Sequence, residues 1–450
     1  IAADAFPHIA ARRPGAASVR LSDPDLPGLG DRTVVEIVND DMPFLLDSVM
    51  GEIAATTSDV RLVAHPIFHV RRDAGGMLQG IGEAGDPDAL RESLIHIEIG
   101  RLDAGGRERL ATALEEILGE VRLAVTDWRS MLSALDEAID NLRRLPKGAV
   151  AKDRAEESVA LLEWLAADNF VFLGMRHYEF DGTAMNRAPA GGLGILSTEE
   201  TRVLTRADRY VTTTPEIRAF LLQPEPLIIT KANILSRIHR RAPMDYVGVK
   251  RYDAEGRLVG ELRVVGLFTS TAYTRSARTI PLLARKVERI LDRSGFAPSS
   301  HSGKALVDVL ESWPRDELFQ IDEDTLFEQA SLVRELGERP RIRVLARRDR
   351  FDRFVSALVY VPRERFDAAL GERIATHLAE AYGGTVGSVR SSDPEGSLTR
   401  LHVVIDRSGE AVPEPSREAL EAAVAALSRD WTDGLVEGLS RRYPPAEARR

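Results

Sequence analysis

VVEIVNDDMPFLLDSVMGEIAA, Val34 to Ala55, is the stretch from which the fold can be read. Val34 to Asn39 is rich in β-branched residues and predicts a buried strand. Beyond it, Met42, Leu45, Leu46, Val49, Met50 and Ile53 recur at helical spacing on one face. Asp40 and Asp41 are natural N-cap residues, and Pro43 is tolerated in a first helical turn, where amide protons lack intrahelical partners. Free amides and the dipole at such a helix start favour an anion such as a carboxylate. Asn39, Asp40 and Asp41 are placed to hold an ammonium group beside it, and a free amino acid carries both groups. The alternative is that Asp40 or Asp41 caps the helix and nothing more.

Working outward, "ASVRLSD" predicts an edge strand before this unit, and "VRLVAHPIFHVRR" and "SLIHIEIGRL" predict strands after it. "GRERLATALEEILGEVRLAVTDWRSML" predicts one helix of several turns. The order strand, strand, helix, strand, strand, helix returns near the end of the chain. There "IRVLARRD" and "RFVSALVYVP" predict a hairpin, "DAALGERIATHLAEAYGG" a helix, "GTVGSVRSSD" and "LTRLHVVIDRS" strands, and "SREALEAAVAALSRDWTDGL" a closing helix. Each copy places an H-x-x-I strand, at His96 and His402, about 30 residues before an Asp-Trp pair, Asp127-Trp128 and Asp430-Trp431. This reads as a diverged internal duplication.

Between the copies, "SVALLEWLAADNFVFLGMRHYEFDG" predicts a helix feeding a strand. "LIITKANILSRI", "MDYVGVKRYD" and "VGELRVVGLFTST" predict further strands, the last two joined by a hairpin loop at Ala254-Glu255-Gly256. "TIPLLARKVERILDRSGF" predicts an amphipathic helix and "FAPSSHSGK" a linker. Lys304 to Leu336 is helical in pattern, broken by Pro314.

The 450 residues suggest about three domains at roughly 150 residues each. With 44% hydrophobic and 29% charged residues the composition is that of a soluble globular protein. A net charge of −10 argues against a nucleic-acid partner, and apolar runs such as "LIIT" are too short to span a bilayer. The start carries no charged segment followed by an apolar core, so no secretory signal is expected. The absence of cysteine excludes disulfides, thiolate metal sites and a cysteine nucleophile, and fits a cytoplasmic location. A first residue Ile1 and an abrupt end in "PPAEARR" read as a segment of something longer.

Other motifs give way to simpler readings. "GIGEAG", Gly80 to Gly85, matches a dinucleotide fingerprint in letters, but a strand rather than a helix follows, so it reads as a loop. No G-x-x-x-x-G-K-[ST] occurs, and no nucleotide site is expected. His65 and His69 have a metal pair's spacing only on a helix; on a strand they stand roughly 13 Å apart. The acidic run "DELFQIDEDTLFEQ" lacks the spacing of a calcium loop and reads as capping and a solvated helix face. "TSTAYTRSARTIP", Thr269 to Pro281, offers hydroxyls and arginines for an anion, although turns and caps use the same residues.

The strand, acidic turn, proline and "LL-D" helix resemble an ACT domain, whose turn usually reads like "DRPGLLADI". "VVEIVNDDMPFLLDSVMGEI", "HPIFHVRRD", "SLIHIEIGRL", "WLAADNFVFLGMRHYEF" and "WPRDELFQ" together resemble the N-terminal region of the large bacterial NAD-specific glutamate dehydrogenases. The resemblance implies an α+β fold: two ferredoxin-like ACT domains, 1–130 and 339–450, flanking a mixed α/β middle domain, 161–298. Helical segments 131–160 and 299–338 would link them. It further implies a non-catalytic regulatory and oligomerisation region of an enzyme that deaminates L-glutamate to 2-oxoglutarate. The NAD-binding catalytic domain would lie C-terminal to this chain, which itself would hold no cofactor and no metal. The expected partners are that dehydrogenase domain, further copies in a homo-oligomer and a free amino-acid effector, with no nucleic acid and no membrane. The effector site would be Asn39, Asp40, Asp41, Met42, Pro43, Phe44 and Leu45. One departure is Phe44, which stands where many ligand-binding ACT domains carry glycine. In the second copy the matching turn is "VPRERFD", Val361 to Asp367, with arginines in place of the acidic pair. A purely structural ACT scaffold with no ligand is the rival reading.

Overall fold

The computed structural model describes residues 8–24, 30–83, 85–182, 184–198, 205–206, 209–210, 223–394, 396–407, 413–429, 435 and 439. The chain divides into two units, Ile1–Val203 with Pro224–Thr269, and Leu204–Gln223 with Ser270–Arg450.

In the first unit, β2 (Arg32–Asp40) and β6 (Leu90–Gly100) are the central pair of an antiparallel sheet. Edge strand β1 (Ser18–Ser22) flanks β2, and β3 (Val60–Ala64), β4 (Ile67–Arg72) and β5 (Leu78–Ile81) complete the sheet. Register places Val35 opposite Ile97 and Ile37 opposite Ile95. This apolar row is fully buried together with residues of α1 (Leu45–Thr56) and α2 (Ala104–Thr126), Val49, Ile53, Leu114 and Ile117 among them. Alternate residues face the other way. There Glu36 pairs with Arg20 and Glu98 with Arg32, with His96 between the two carboxylates.

"VRLVAHPIFHVRR" is not one strand but two. Pro66 has no amide to give to a ladder, so pairing lapses at His65-Pro66. β3 then runs along one half of β6 and β4 along the other. The long helix is also two: α2 ends at Asp127, and α3 (Trp128–Arg143) starts from it. Of "GIGEAG", Gly80 and Ile81 end β5 and Gly82 and Glu83 follow outside any strand or helix.

Helix α4 (Lys152–Trp164) passes through a π-type turn, with Asp168 at φ 60°, into β7 (Phe170–Phe180). Strands β8 (Met185–Arg187) and β9 (Leu193–Gly194) lie against β7. The two-residue strands β10 (Thr205–Arg206) and β11 (Arg209–Tyr210) pair with each other. Antiparallel strands β12 (Leu227–Ser236), β13 (Ala242–Tyr252) and β14 (Leu258–Phe268) complete the middle sheet beside β7. The β13–β14 hairpin turns at Gly256, whose φ of 82° suits glycine.

The second unit, to which β10 and β11 belong, continues with α5 (Ser270–Thr274), α6 (Leu283–Ser294), α7 (His301–Ser312), α8 (Arg315–Gln320) and α9 (Glu323–Glu338). The acidic run does act in capping: Asp322 accepts the Thr325 amide at the start of α9. A four-stranded antiparallel sheet follows, in the order β15 (Arg343–Arg348), β16 (Phe354–Pro362), β18 (Leu398–Asp406) and β17 (Thr385–Ser392). Val355, Val359, Leu401 and Val403 share a core with Ile374 and Leu378 of α10 (Ala368–Ala381) and Val424 of α11 (Arg417–Leu427). Asp430 and Trp431 lie outside the described residues. The architecture is thus mixed α+β. Among the described residues no helix is long and apolar enough to cross a membrane.

Candidate functional site

Four residues of the Asn39–Leu45 turn, Asn39, Asp40, Asp41 and Phe44, have partners distant in sequence. Asn39 is fully buried; its Oδ1 accepts from Arg122 at 2.6 Å, while its Nδ2 has no partner among the described residues. Asp40 accepts from Arg12 at 2.5 Å through Oδ1 and from Arg122 at 2.6 Å through Oδ2. Burial works to raise the Asp40 carboxyl, but these hydrogen bonds outweigh it and hold the group below the usual carboxylate range. Asp41 accepts the Ser93 hydroxyl at 2.8 Å and meets Arg91 at 2.7 Å, an arginine whose side chain is 61% exposed. Met42 is half-buried, Pro43 exposed, and Leu45 is the buried first residue of α1.

Neither aspartate caps the helix. The N-cap is Phe44, at φ 70° and ψ 0°, which makes no side-chain capping hydrogen bond. The physical reason is distance and prior engagement: Met42 and Pro43 separate Asp41 from the cap, and both carboxylates already serve arginines. Phe44 therefore occupies the left-handed region that a glycine would take without cost.

A second left-handed residue faces it. His239, at φ 64°, sits in the loop joining β12 to β13, and its ring lies 5.3 Å from that of Phe44. Its amide donates to Ser48 Oγ at 3.0 Å, Ser48 Oγ donates to the Phe44 carbonyl at 2.6 Å, and its Nδ1 is 3.0 Å from Asp47. On either side, Arg237 and Arg241 both reach Glu52 Oε1 at 3.0 Å, and Arg237 also meets Glu116 and Glu120. Burial raises the Glu120 carboxyl above its ordinary value. The loop thus clasps the start of α1 and one face of α2. Sequence reading passed over Arg12, Arg91, Arg122, Arg237 and His239. The only local signal was the basic run "RIHRR", which sits between two strands where a short polar turn would suffice.

The remaining motifs resolve simply. His65 lies in the break between β3 and β4 and His69 on β4, and no group of three or more potential metal ligands exists among the described residues. At "TSTAYTRSARTIP" the anion is the chain's own: Glu311 accepts from the Ser276 hydroxyl and from the Ala277 amide at 2.8 Å.

Comparison with known proteins matches three family models to this chain. They are "Glutamate dehydrogenase, ACT1 domain" over residues 1–114, "Glutamate dehydrogenase, helical motif 1" over 280–339 and "Glutamate dehydrogenase, ACT2 domain" over 343–432. The chain is 34% identical over 441 residues to the NAD-specific glutamate dehydrogenase of Halomonas elongata, covering 94% of this chain and 27% of that protein. It is 34% identical over 429 residues to the Pseudomonas aeruginosa protein of the same name, covering 92% and 26%. The Mycobacterium tuberculosis protein is 26% identical over 446 residues, covering 95% and 26%. The chain thus spans about a quarter of the length of these relatives.

Proposed function

Since the chain belongs to the family of NAD-specific glutamate dehydrogenases, as its ACT-bearing N-terminal region, we propose that it is the regulatory and oligomerisation part of such an enzyme and carries no catalysis itself. The parent enzyme would oxidatively deaminate L-glutamate to 2-oxoglutarate in the cytoplasm, with NAD bound in a C-terminal dehydrogenase domain. In this proposal ferredoxin-like ACT domains at 1–130 and 339–450 flank a middle domain at 161–298. Its partners are the dehydrogenase domain, further copies of the chain and a free amino acid.

The Phe44–His239 contact is the observation that carries the regulatory reading. Two residues in a costly backbone region, their rings in tilted contact at 53°, mark a place where structure is held under constraint. An effector arriving at the turn meets Asp41, whose partner Arg91 is largely exposed and exchangeable. Asp40, locked by two arginines, is positional. Any preference of the effector for one arrangement of the turn passes through Phe44 and Ser48 to the β12–β13 loop. The equilibrium shifts by that difference in affinity and no more.

The test is titration calorimetry of the chain against free amino acids, with glutamate and NAD included. A saturable signal abolished by Asp41→Asn in a folded sample is the expected result. Silence across the panel would leave the rival, an assembly scaffold without a ligand.

A further inference from the structure

In the second unit the short helix α8 ends against a lysine. Lys286, on α6, is buried, and its Nζ donates to the carbonyls of Leu318 and Ile321 at 2.8 Å each and of Phe319 at 3.4 Å. The last carbonyls of a helix have no amide partner within it, so an amine here serves as their donor. Leu318, Phe319 and Ile321 are buried as well, which closes the α8–α9 turn over the amine.

The acceptors are all neutral. Lys286 forms no ion pair among the described residues, and the carboxylates that face it are committed elsewhere. Asp322 accepts the Thr325 amide at 2.9 Å and its hydroxyl at 2.8 Å, and Glu323 meets Arg289 at 2.5 Å. Glu317 of α8 is spent on Arg347. Two like charges face the amine, Arg347 from β15 and Arg350 from the turn between β15 and β16. A neutral amine donates two hydrogen bonds and an ammonium three. Two short acceptors and one long one suit the neutral form, and an ammonium without a counter-ion is costly to bury. Burial, and then Arg350, accordingly lower this amine to about 7.

We propose that the turn from α8 into α9 is a proton-operated latch, closed over the neutral amine of Lys286 and opened when that amine takes up a proton and turns out to water. Helix α8 also carries the Glu317 that holds Arg347 of the second four-stranded sheet. The latch therefore acts on the seating of the helical segment against that sheet. It needs no ligand and is independent of the Asn39–Leu45 turn. In the open form the lysine regains its ordinary value of 10.5, so opening is most favoured at pH 7 and below and declines as pH rises towards 10.5.

The experiment is hydrogen exchange of the whole chain from pH 7 to 9, read by mass spectrometry on peptides that span Leu318 to Asp322 and corrected for intrinsic exchange rates. Opening should fall about fivefold from pH 7 to 8 and about ninefold from pH 8 to 9. In Lys286→Met the same peptides should change less than twofold. A pH-independent opening of the unaltered chain, or an equal fall in Lys286→Met, overturns the proposal. A second measurement needs no variant. The chain has six lysines, so carbon-13 label at lysine Cε gives six resonances to titrate in the folded protein. Two should titrate early, Lys286 near 7 and the buried Lys250 near 8. Five or more resonances with midpoints above about 9 would show that Lys286 keeps its proton inside the closed turn, and the latch would be refuted.

Discussion

Replacing Phe44 by alanine and by glycine separates the strain of this residue from its packing. At φ 70° the Cβ of an L-residue crowds its own backbone, at about 1–2 kcal/mol. Both variants lose the ring contact with His239, worth about 0.5–1.5 kcal/mol. Alanine keeps the Cβ and its strain; glycine sheds it, offset by about 0.5–1 kcal/mol of extra freedom in the unfolded chain. Glycine should therefore be the more stable of the two by up to about 1 kcal/mol, reversing the order seen at ordinary helical positions. Hydrogen exchange of the α1 amides reads this locally, because opening free energy sets the rate, and 1 kcal/mol is about fivefold. Exchange in Phe44→Ala should be faster than in Phe44→Gly by up to that factor. Exchange slower in the alanine variant by about two- to fivefold, the order of an ordinary helical position, would show that the left-handed backbone stores no strain and would remove the basis of the regulatory reading.

Three further outcomes follow from buried groups. Lys286 donates to the Leu318 and Ile321 carbonyls at 2.8 Å each, yet burial and then the charge of Arg350 lower it to about 7. Its folded value lies below its ordinary one, so the unfolded chain binds more protons between pH 7 and about 10.5. Stability of the second unit should rise with pH through that window, a rise that thermal melts show flattened in Lys286→Met. Glu317→Gln breaks the two-point buried pair with Arg347, at 2.9 and 2.8 Å, and should cost about 3 kcal/mol by scanning calorimetry. Gly248→Ala would set a Cβ 2.1 Å from Glu261 Oε1 and 3.0 Å from the Tyr246 ring, and should cost about 1–3 kcal/mol in urea denaturation.

Local pattern carried the strands and helices because their signals are local. The β-branched run at Val34 to Asn39, the hairpin glycine at Gly256 and the break at Pro314 each act within a few residues. Errors came where one residue interrupts a good pattern: Pro66 splits a strand and Asp127 a helix. The turn's location was legible, but not what surrounds it. Arg12 and Arg122 lie 28 and 82 residues from Asp40, and His239 lies 192 from Asp47. No spacing rule links such positions; only the folded backbone brings them together. Phe44 was visible as a departure from glycine, yet its positive φ belongs to the tertiary contact that enforces it.

Arg12 also bears on how this protein can be dissected. Its guanidinium, 1% exposed, donates to Asp40, Glu92 and the Ala16 carbonyl, and Arg72 reaches back to the carbonyls of Ile9 and Ala10. Arg12 is therefore a buried anchor contributed from ahead of the first strand. A shortened chain starting at Ser18 would strip buried Glu92 of one of its two cations and Asp40 of one of its two. Excising the first sheet with a boundary drawn by strand assignment alone would cut through a charge network.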